Sequence, residues 1–372
     1  MINSRAFYTK LKEFDVGLFA GVPDSLLKDL CAYIEDHAGV GEHVITANEG
    51  NAVAIAAGYH LTTGSLAAVY MQNSGLGNAI NPLTSIADSK VYKIPMVLIV
   101  GWRGEPGVKD EPQHVKQGEI TQQQLNILGI PNWILDKDSD LDVTLEAAMQ
   151  ELKRTGAPIA ILVRNGTFTR YESQRKPDSI SQMRREDALR CLLSLIGDAL
   201  VISTTGKTSR ELFELRAEHG GIQRDFLSVG AMGHTASIAL GAALGNPHKQ
   251  IVCIDGDGSV LMHMGALPII GDLAPKNLVH VLLNNAAHES VGGQPTVGGK
   301  IDFKSIALAS GYKDYKVASD AVGITAAWRA IQKQPGPVFL EIKIAIGSRD
   351  DLGRPTSTPQ ENKRAFMQVA GL

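Results

Sequence analysis

The sequence predicts an α/β protein built from two doubly wound domains with mainly parallel sheets. Three observations carry this. Short apolar runs rich in β-branched residues, such as 251–254 and 279–283, sit between Gly-, Asn- and Ser-rich loops and alternate with helical patterns. Strands covered on both faces of a parallel sheet read in this way. The 372 residues are enough for two domains. Residues from about 165 to 185 lose apolar periodicity and gain charge, as inter-domain connections do. The expected division is a first domain at 1–170, a linker at 171–186 and a second domain at 187–372.

In chain order, residues 6–14 suit a short amphipathic helix and 16–20 a strand. Gly21-Val22-Pro23-Asp24-Ser25 closes that strand and opens a helix from Leu26, where Asp24 can serve as an N-cap. A strand is expected at 44–46, then a small-residue helix from Asn48 to Tyr59. Glu49 stands in its first turn, where a carboxylate complements the helix dipole. The strand at 66–70 leads into the polar loop Gln72–Asn78, which includes Asn73. The strand at 96–100 leads into a loop expected to run from Gly101 to Gly118. That loop holds Arg103, Lys109, His114 and Lys116 among Asp110, Glu105 and Glu111. Loops of this length in compact domains are functional or disordered. A strand at 159–163 ends the first half.

The second half opens with a helix at 187–195 and a strand at 199–203, followed by Thr204-Thr205-Gly206-Lys207-Thr208-Ser209. This turn is not a nucleotide P-loop, because the required first glycine is Val201. Gly230-Ala231-Met232-Gly233-His234 then leads into a small-residue helix ending at Gly245. A strand at 251–254 delivers Gly256-Asp257-Gly258-Ser259, and one helix later the strand at 279–283 delivers Asn284-Asn285. One strand-helix-strand unit thus brings a carboxylate and a carboxamide to the same carboxyl edge, where ligands of open α/β sheets bind. Both are hard oxygen donors suited to a divalent ion such as Mg²⁺. A polar, glycine-rich loop at 286–296 follows, with His288 and Glu289, and a last strand is expected at 338–344.

Composition narrows the partners. With 44% hydrophobic and 20% charged residues the composition is that of a soluble globular protein, and a net charge of -3 gives no reason to expect a nucleic-acid partner or an anionic membrane surface. Cys31, Cys191 and Cys253 are far apart in sequence, fit no metal-ligand spacing and read as packing residues. No apolar run reaches the ~18 residues of a membrane span, and the N-terminus is mixed and polar. A cytoplasmic location is expected.

GDG followed one βαβ unit later by NN resembles the metal motif of thiamin diphosphate-dependent 2-oxoacid decarboxylases. The resemblance extends over nearly the whole chain, through GVPDSLL, NEGNAVAIAAGYH, YMQNSGLGN, WRGEPGVKDEPQH, TTGKTSREL and LNNAAHESVGGQPT. These segments resemble the branch acting on phosphonopyruvate and sulfopyruvate, which has no middle domain. The resemblance implies a pyrimidine-binding first half and a diphosphate-binding second half. It implies that Asp257, Asn285 and the carbonyl of Ala287 hold Mg²⁺, and that Glu49 bonds the aminopyrimidine of the cofactor. Asn73, Thr205, Gly206, Gly230, Met232, Gly256, Gly258 and Ser259 are its further expected cofactor contacts.

Asp24, His114 and His288 are the expected proton-transfer groups, and Arg103, Lys109, Lys116 and Lys207 the expected anion binders. The implied reaction converts 3-phosphonopyruvate to phosphonoacetaldehyde and CO₂, as in phosphonate biosynthesis, in a homodimer or homotetramer with sites between chains. Two alternatives remain at this point: sulfopyruvate as substrate, and a cofactor-binding protein without turnover. A glutamate found six positions after the second Asn in pyruvate decarboxylases has no counterpart, since that position is Val291.

Overall fold

The computed structural model describes residues 1–175, 179–218, 220 and 223–372. The chain divides into two compact units, Met1–Lys176 with Ser290–Gln294 and Pro177–Glu289 with Pro295–Leu372. Residues 176–178 of the expected linker lie outside the described residues.

The first unit runs α1 (Ser4–Glu13), β1 (Val16–Gly21), α2 (Lys28–His37), β2 (His43–Ile45), α3 (Glu49–Thr63), β3 (Leu66–Gln72), α4 (Leu76–Thr84), β4 (Val97–Gly101), α5 (Pro112–Ile127), β5 (Asn132–Leu135), α6 (Leu141–Thr155) and β6 (Ile159–Val163). Its six strands lie in the order β2-β1-β3-β4-β6-β5, all parallel. On one face Phe7 and Leu11 of α1, Leu30 and Ile34 of α2, and Leu145 and Met149 of α6 form a core. On the other, Ala52 and Ala56 of α3, Leu76 and Leu83 of α4, and Leu125 of α5 form a second.

The second unit runs α7 (Arg185–Leu195), β7 (Leu200–Ser203), α8 (Lys207–Glu218), β8 (Asp225–Leu227), α9 (Thr235–Gly245), β9 (Ile251–Gly256), α10 (Asp257–Met262), α11 (Ala266–Leu273) and β10 (Leu278–Asn284). Two-residue strands β11 (Ala287–His288) and β12 (Gln294–Pro295) come next in the chain. They precede α12 (Phe303–Ala309), β13 (Asp314–Ala318), α13 (Ala321–Ile331), β14 (Val338–Lys343) and α14 (Pro359–Ala370). The sheet order is β13-β14-β10-β9-β7-β8, again all parallel. Read from β8, this is the order of the first sheet strand for strand: second, first, third, fourth, sixth, fifth. Helices α7, α8 and α13 cover one face, and α9, α11 and α12 the other.

The fold class is as the sequence indicates, with local corrections. Helix α2 starts at Lys28, and its N-cap position is Leu27 with no side-chain bond, so Asp24 does not cap it. Asp24 instead closes a turn on the Leu26 N–H. The expected loop at 72–78 is a 3-10 turn at Asn73–Gly75 followed at once by α4. The loop after β4 is shorter than expected: α5 begins at Pro112, whose fixed φ and missing N–H suit a first helical position. Helix α7 starts at Arg185, two residues before the expected start. Among the described residues, no helix is long and apolar enough to cross a membrane.

Candidate active site

In the first unit the ends of β1, β3 and β4 and the start of α3 present the functional residues. Asn48 caps α3 by accepting a hydrogen bond from the Gly50 N–H, which fixes Glu49 as the first helical residue. Glu49 is only 5% exposed. Its Oε2 accepts from Asn78 Nδ2 at 2.7 Å. Gly75 makes room for it, since a Cβ there would stand 2.4 Å from Glu49 Oε1. Burial raises the Glu49 pKa and the Asn78 bond only partly opposes this. The result is an acid biased towards keeping its proton.

Asp24, just beyond β1, is wholly enclosed. Its carboxylate accepts from Gln72 Nε2 at 2.8 Å and from Leu26 N–H at 3.0 Å. Burial raises its pKa, and the Gln72 bond and the Arg103 charge act the other way. Gly101 at the end of β4 lets Asp24 fit: a Cβ would lie 2.0 Å from Asp24 Oδ2. Asn73 is fully buried, and its amide is engaged at both ends. It donates to the Arg103 carbonyl and the Thr121 hydroxyl and accepts from Arg103 N–H.

The four candidate basic and imidazole groups after β4 have different surroundings. Arg103 is tied to Asp110 through Nε and Nη2, and its Nη1 donates to Ser25 Oγ. Its charge is therefore partnered within the loop. His114 is half-buried, and burial with the Arg103 charge lowers its pKa to about 4. Lys109 is exposed. Lys116 is exposed and pairs with Glu119 one helical turn on, so it stands apart from Asp24 and Glu49 in its contacts.

In the second unit the segments after β7, β8, β9 and β10 converge at the carboxyl edge of the sheet. Thr205 Oγ1 accepts from Gly230 N–H at 3.1 Å, and Ser259 Oγ accepts from Gly233 N–H at 3.1 Å. A Cβ on Gly258 would lie 3.2 Å from the His288 ring and 3.4 Å from Met232 Cε, so both side chains adjoin Gly258. Gly206 and Gly230 hold left-handed φ angles of 92° and 73°. Ala231 and Ala286 do so at 49° and 56° without being glycine. Non-glycine residues in this region store strain, and such strain clusters at functional sites.

Asp257 is 2% exposed, and burial raises its pKa to about 6. Among the described residues its partners are the Thr296 hydroxyl and backbone N–H groups, including that of Asn285. None of these is a cation. A buried carboxylate, the Asn285 carboxamide oxygen and the Ala287 carbonyl are hard oxygen donors, and a divalent ion would supply the charge that Asp257 lacks. The residues fit the metal of a diphosphate cofactor. His288 is buried, which lowers its pKa to about 4 and leaves the ring neutral at neutral pH.

Lys207 Nζ donates to Glu289 Oε1 at 2.9 Å, so its charge is engaged. Arg185 binds Glu211 in a bidentate pair and also reaches Glu289. Arg185, Glu211 and the buried Glu341, whose Oε1 accepts from Asn284 Nδ2, are not among the site residues expected from the sequence. Cys253, expected as a packing residue, is fully buried in the core of the second unit. The strand register places His280 opposite Cys253, and with Asp255 they offer S, O and N atoms within 4.8 Å of one another. Spacing within one segment could not reveal that group, because its third member comes from the neighbouring strand.

A family model for the N-terminal TPP binding domain of thiamine pyrophosphate enzymes matches residues 2–125, and one for the C-terminal TPP binding domain matches residues 205–342. The chain belongs to the thiamine pyrophosphate enzyme family. Members similar to it over almost their full length include a phosphonopyruvate decarboxylase of Streptomyces viridochromogenes, 38% identical over 98% of this chain and 94% of the relative. A phosphonopyruvate decarboxylase of Streptomyces hygroscopicus is 36% identical over 100% of this chain and 94% of that one. A sulfopyruvate decarboxylase of Methanosarcina acetivorans is 27% identical over 96% and 95%. The first model covers β1 to β4 and the second β8 to β14, so each unit carries most of one matched domain.

Proposed function

We propose that this protein is a thiamin diphosphate- and Mg²⁺-dependent carboxy-lyase that converts 3-phosphonopyruvate to phosphonoacetaldehyde and CO₂. The observation that carries the substrate is the 36–38% identity, over nearly the full length, to two phosphonopyruvate decarboxylases, against 27% to the sulfopyruvate decarboxylase. The first unit is the pyrimidine-binding domain and the second the diphosphate-binding domain.

Asp257, Asn285 and the Ala287 carbonyl hold the Mg²⁺ that anchors the diphosphate. Thr205, Gly206, Gly230, Gly256, Gly258 and Ser259 line the cofactor, and Met232 packs against it. Thiamin diphosphate, when bound, supplies the electron sink for loss of CO₂ from a 2-oxoacid. Glu49, biased towards its protonated form by burial, holds a proton at the aminopyrimidine end. Asp24 shares this bias and is the candidate to pass a proton to or from the substrate. His114 and His288 are neutral at neutral pH and act there as hydrogen-bond partners. Of the four expected anion binders, Arg103, Lys116 and Lys207 are paired with Asp110, Glu119 and Glu289, which leaves Lys109, the exposed cation of the loop after β4, as the candidate for the anionic substrate.

In a homodimer or homotetramer, Glu49 of one copy and Asp257 of another would serve one cofactor. A cytoplasmic setting suits three free cysteines and a polar substrate.

The test supplies purified protein with thiamin diphosphate, Mg²⁺ and equimolar phosphonopyruvate and sulfopyruvate, and follows both aldehydes and CO₂. Preferential formation of phosphonoacetaldehyde is expected. Preference for sulfopyruvate would overturn the substrate, and cofactor binding without CO₂ release from either acid would overturn the reaction.

A further inference from the structure

A carboxamide can bind a cation only through its oxygen, yet its two ends have nearly the same shape. Turned by 180°, Asn285 would offer the metal an NH₂ group. The structure pins the amide at both ends. Asn285 Oδ1 accepts from the Ala287 N–H at 3.1 Å, which leaves its second lone pair for a cation. Asn285 Nδ2 donates to Glu289 Oε2 at 2.9 Å, and only an acceptor there favours this orientation.

Glu289 is itself held. Arg185 Nη1 donates to its Oε2 at 3.0 Å and Lys207 Nζ to its Oε1 at 2.9 Å. The Arg185 side chain, 6% exposed, is fixed in turn by two 2.9 Å bonds to Glu211, whose side chain is 2% exposed. Two cations and two carboxylates from α7, α8 and the loop after β10 thus form a nearly closed, charge-balanced cluster with Asn285 as its outlet. Groups that bond to metal ligands in this way set ligand orientation, and their loss costs ~10–100-fold in metal affinity.

We propose that Glu289, clamped by Arg185 and Lys207, is a positioning residue that fixes the Asn285 carboxamide with its oxygen towards the divalent cation. This rests on the metal site proposed above. It also gives Lys207 a task in the second unit other than binding substrate. A carboxylate at 289 is required because Asn285 must meet an acceptor while two cations are neutralised. A glutamine there could present its own NH₂ to Asn285 and would let the amide turn.

The test measures Mn²⁺ affinity by electron paramagnetic resonance in the presence of thiamin diphosphate, with thermal unfolding of the cation-free chain as a control. Glu289→Gln should bind Mn²⁺ ~10–100-fold more weakly than the natural chain. In an Asn285→Asp background, where both ligand ends are oxygens, Glu289→Gln should cost nothing or improve binding. Equal losses in the two backgrounds would assign Glu289 a merely structural part and overturn the proposal, as would natural affinity in Glu289→Gln itself.

Lys207→Met, at a partly exposed side chain, is the second variant should Glu289→Gln fail to fold. It should weaken Mn²⁺ by a few-fold, and unchanged affinity there would also overturn the proposal. Asp257→Asn separates the two readings: if it leaves Mn²⁺ affinity intact, the metal site itself is wrong, whereas its loss beside an unaffected Glu289→Gln faults only the positioning.

Discussion

The two units share one strand order and differ in what stands at the carboxyl edge. In the first, Glu49 and Asp24 are buried acids whose hydrogen bonds come from Asn78, Gln72 and backbone, and burial raises both pKa values. In the second, Asp257 has its own pKa raised, but it lies beside Asn285, behind which Arg185, Lys207, Glu211 and Glu289 are paired. One edge holds acids that favour their protonated form, while the other sets a carboxylate and a carboxamide side by side. The difference teaches that topology fixes where a site can be, while the few residues after each strand fix its chemistry.

The sharpest way to break this contrast is Asp257→Asn. It should abolish Mg²⁺-dependent thiamin diphosphate binding and lower decarboxylation by about a thousandfold or more, read by calorimetric titration and CO₂ release. Glu49→Gln should leave cofactor binding in place and lower kcat by about 100-fold.

The same Glu49→Gln substitution carries a stability signature. A carboxyl whose folded pKa is raised stabilises the fold below its unfolded pKa and loses that contribution as pH rises through the folded value. The glutamine variant should therefore be the more stable protein at pH 7, by about 1 kcal/mol. That advantage should close below about pH 4, where Glu49 is protonated in both states. Denaturant unfolding at the two pH values checks the sign.

Gly101→Ala should destabilise the first unit by about 2 kcal/mol, because the added methyl meets Asp24. Chemical denaturation measures it. At the small end, Lys116→Ala removes an exposed pair with Glu119 and should change stability by under about 0.5 kcal/mol, with KM unmoved. A large rise in KM would bring Lys116 into the substrate site and blur the contrast.

Much of this was legible in the residues. The central strands were, because runs such as VLIVG in β4 and IVCI at the start of β9 are buried throughout and apolar. Of the edge strands only β2 was read, at 44–46: β5, NWIL, and β13, DYKVA, are mostly half-buried and carry a mixed pattern with no clear period. Since β5 and β13 occupy the same place in their sheets, the same physics hid both. Helix α5 was not read at all: its first half was taken into the expected loop to Gly118, because Pro112 reads as a loop residue until the chain around it is seen to be helical.

At the candidate site, Asp257 and Asn285 were visible through their glycine and asparagine neighbours and the length of one βαβ unit. Arg185 and Glu211 were invisible, since charged residues on a helix normally face water. Only their mutual burial reveals them. Asp24 looked like a cap because Asp so often is one, and the three extended or bent residues after it decided otherwise.

Ala231 and Ala286 add a constraint on how this sequence can vary. Their left-handed backbone tolerates a methyl at some cost and disfavours branched side chains far more. Substitution at these two loop positions is thereby confined to glycine, asparagine and a few other small residues. Loops usually drift faster than strands, but here the loops that follow β8 and β10 should be among the slowest-changing parts of the chain.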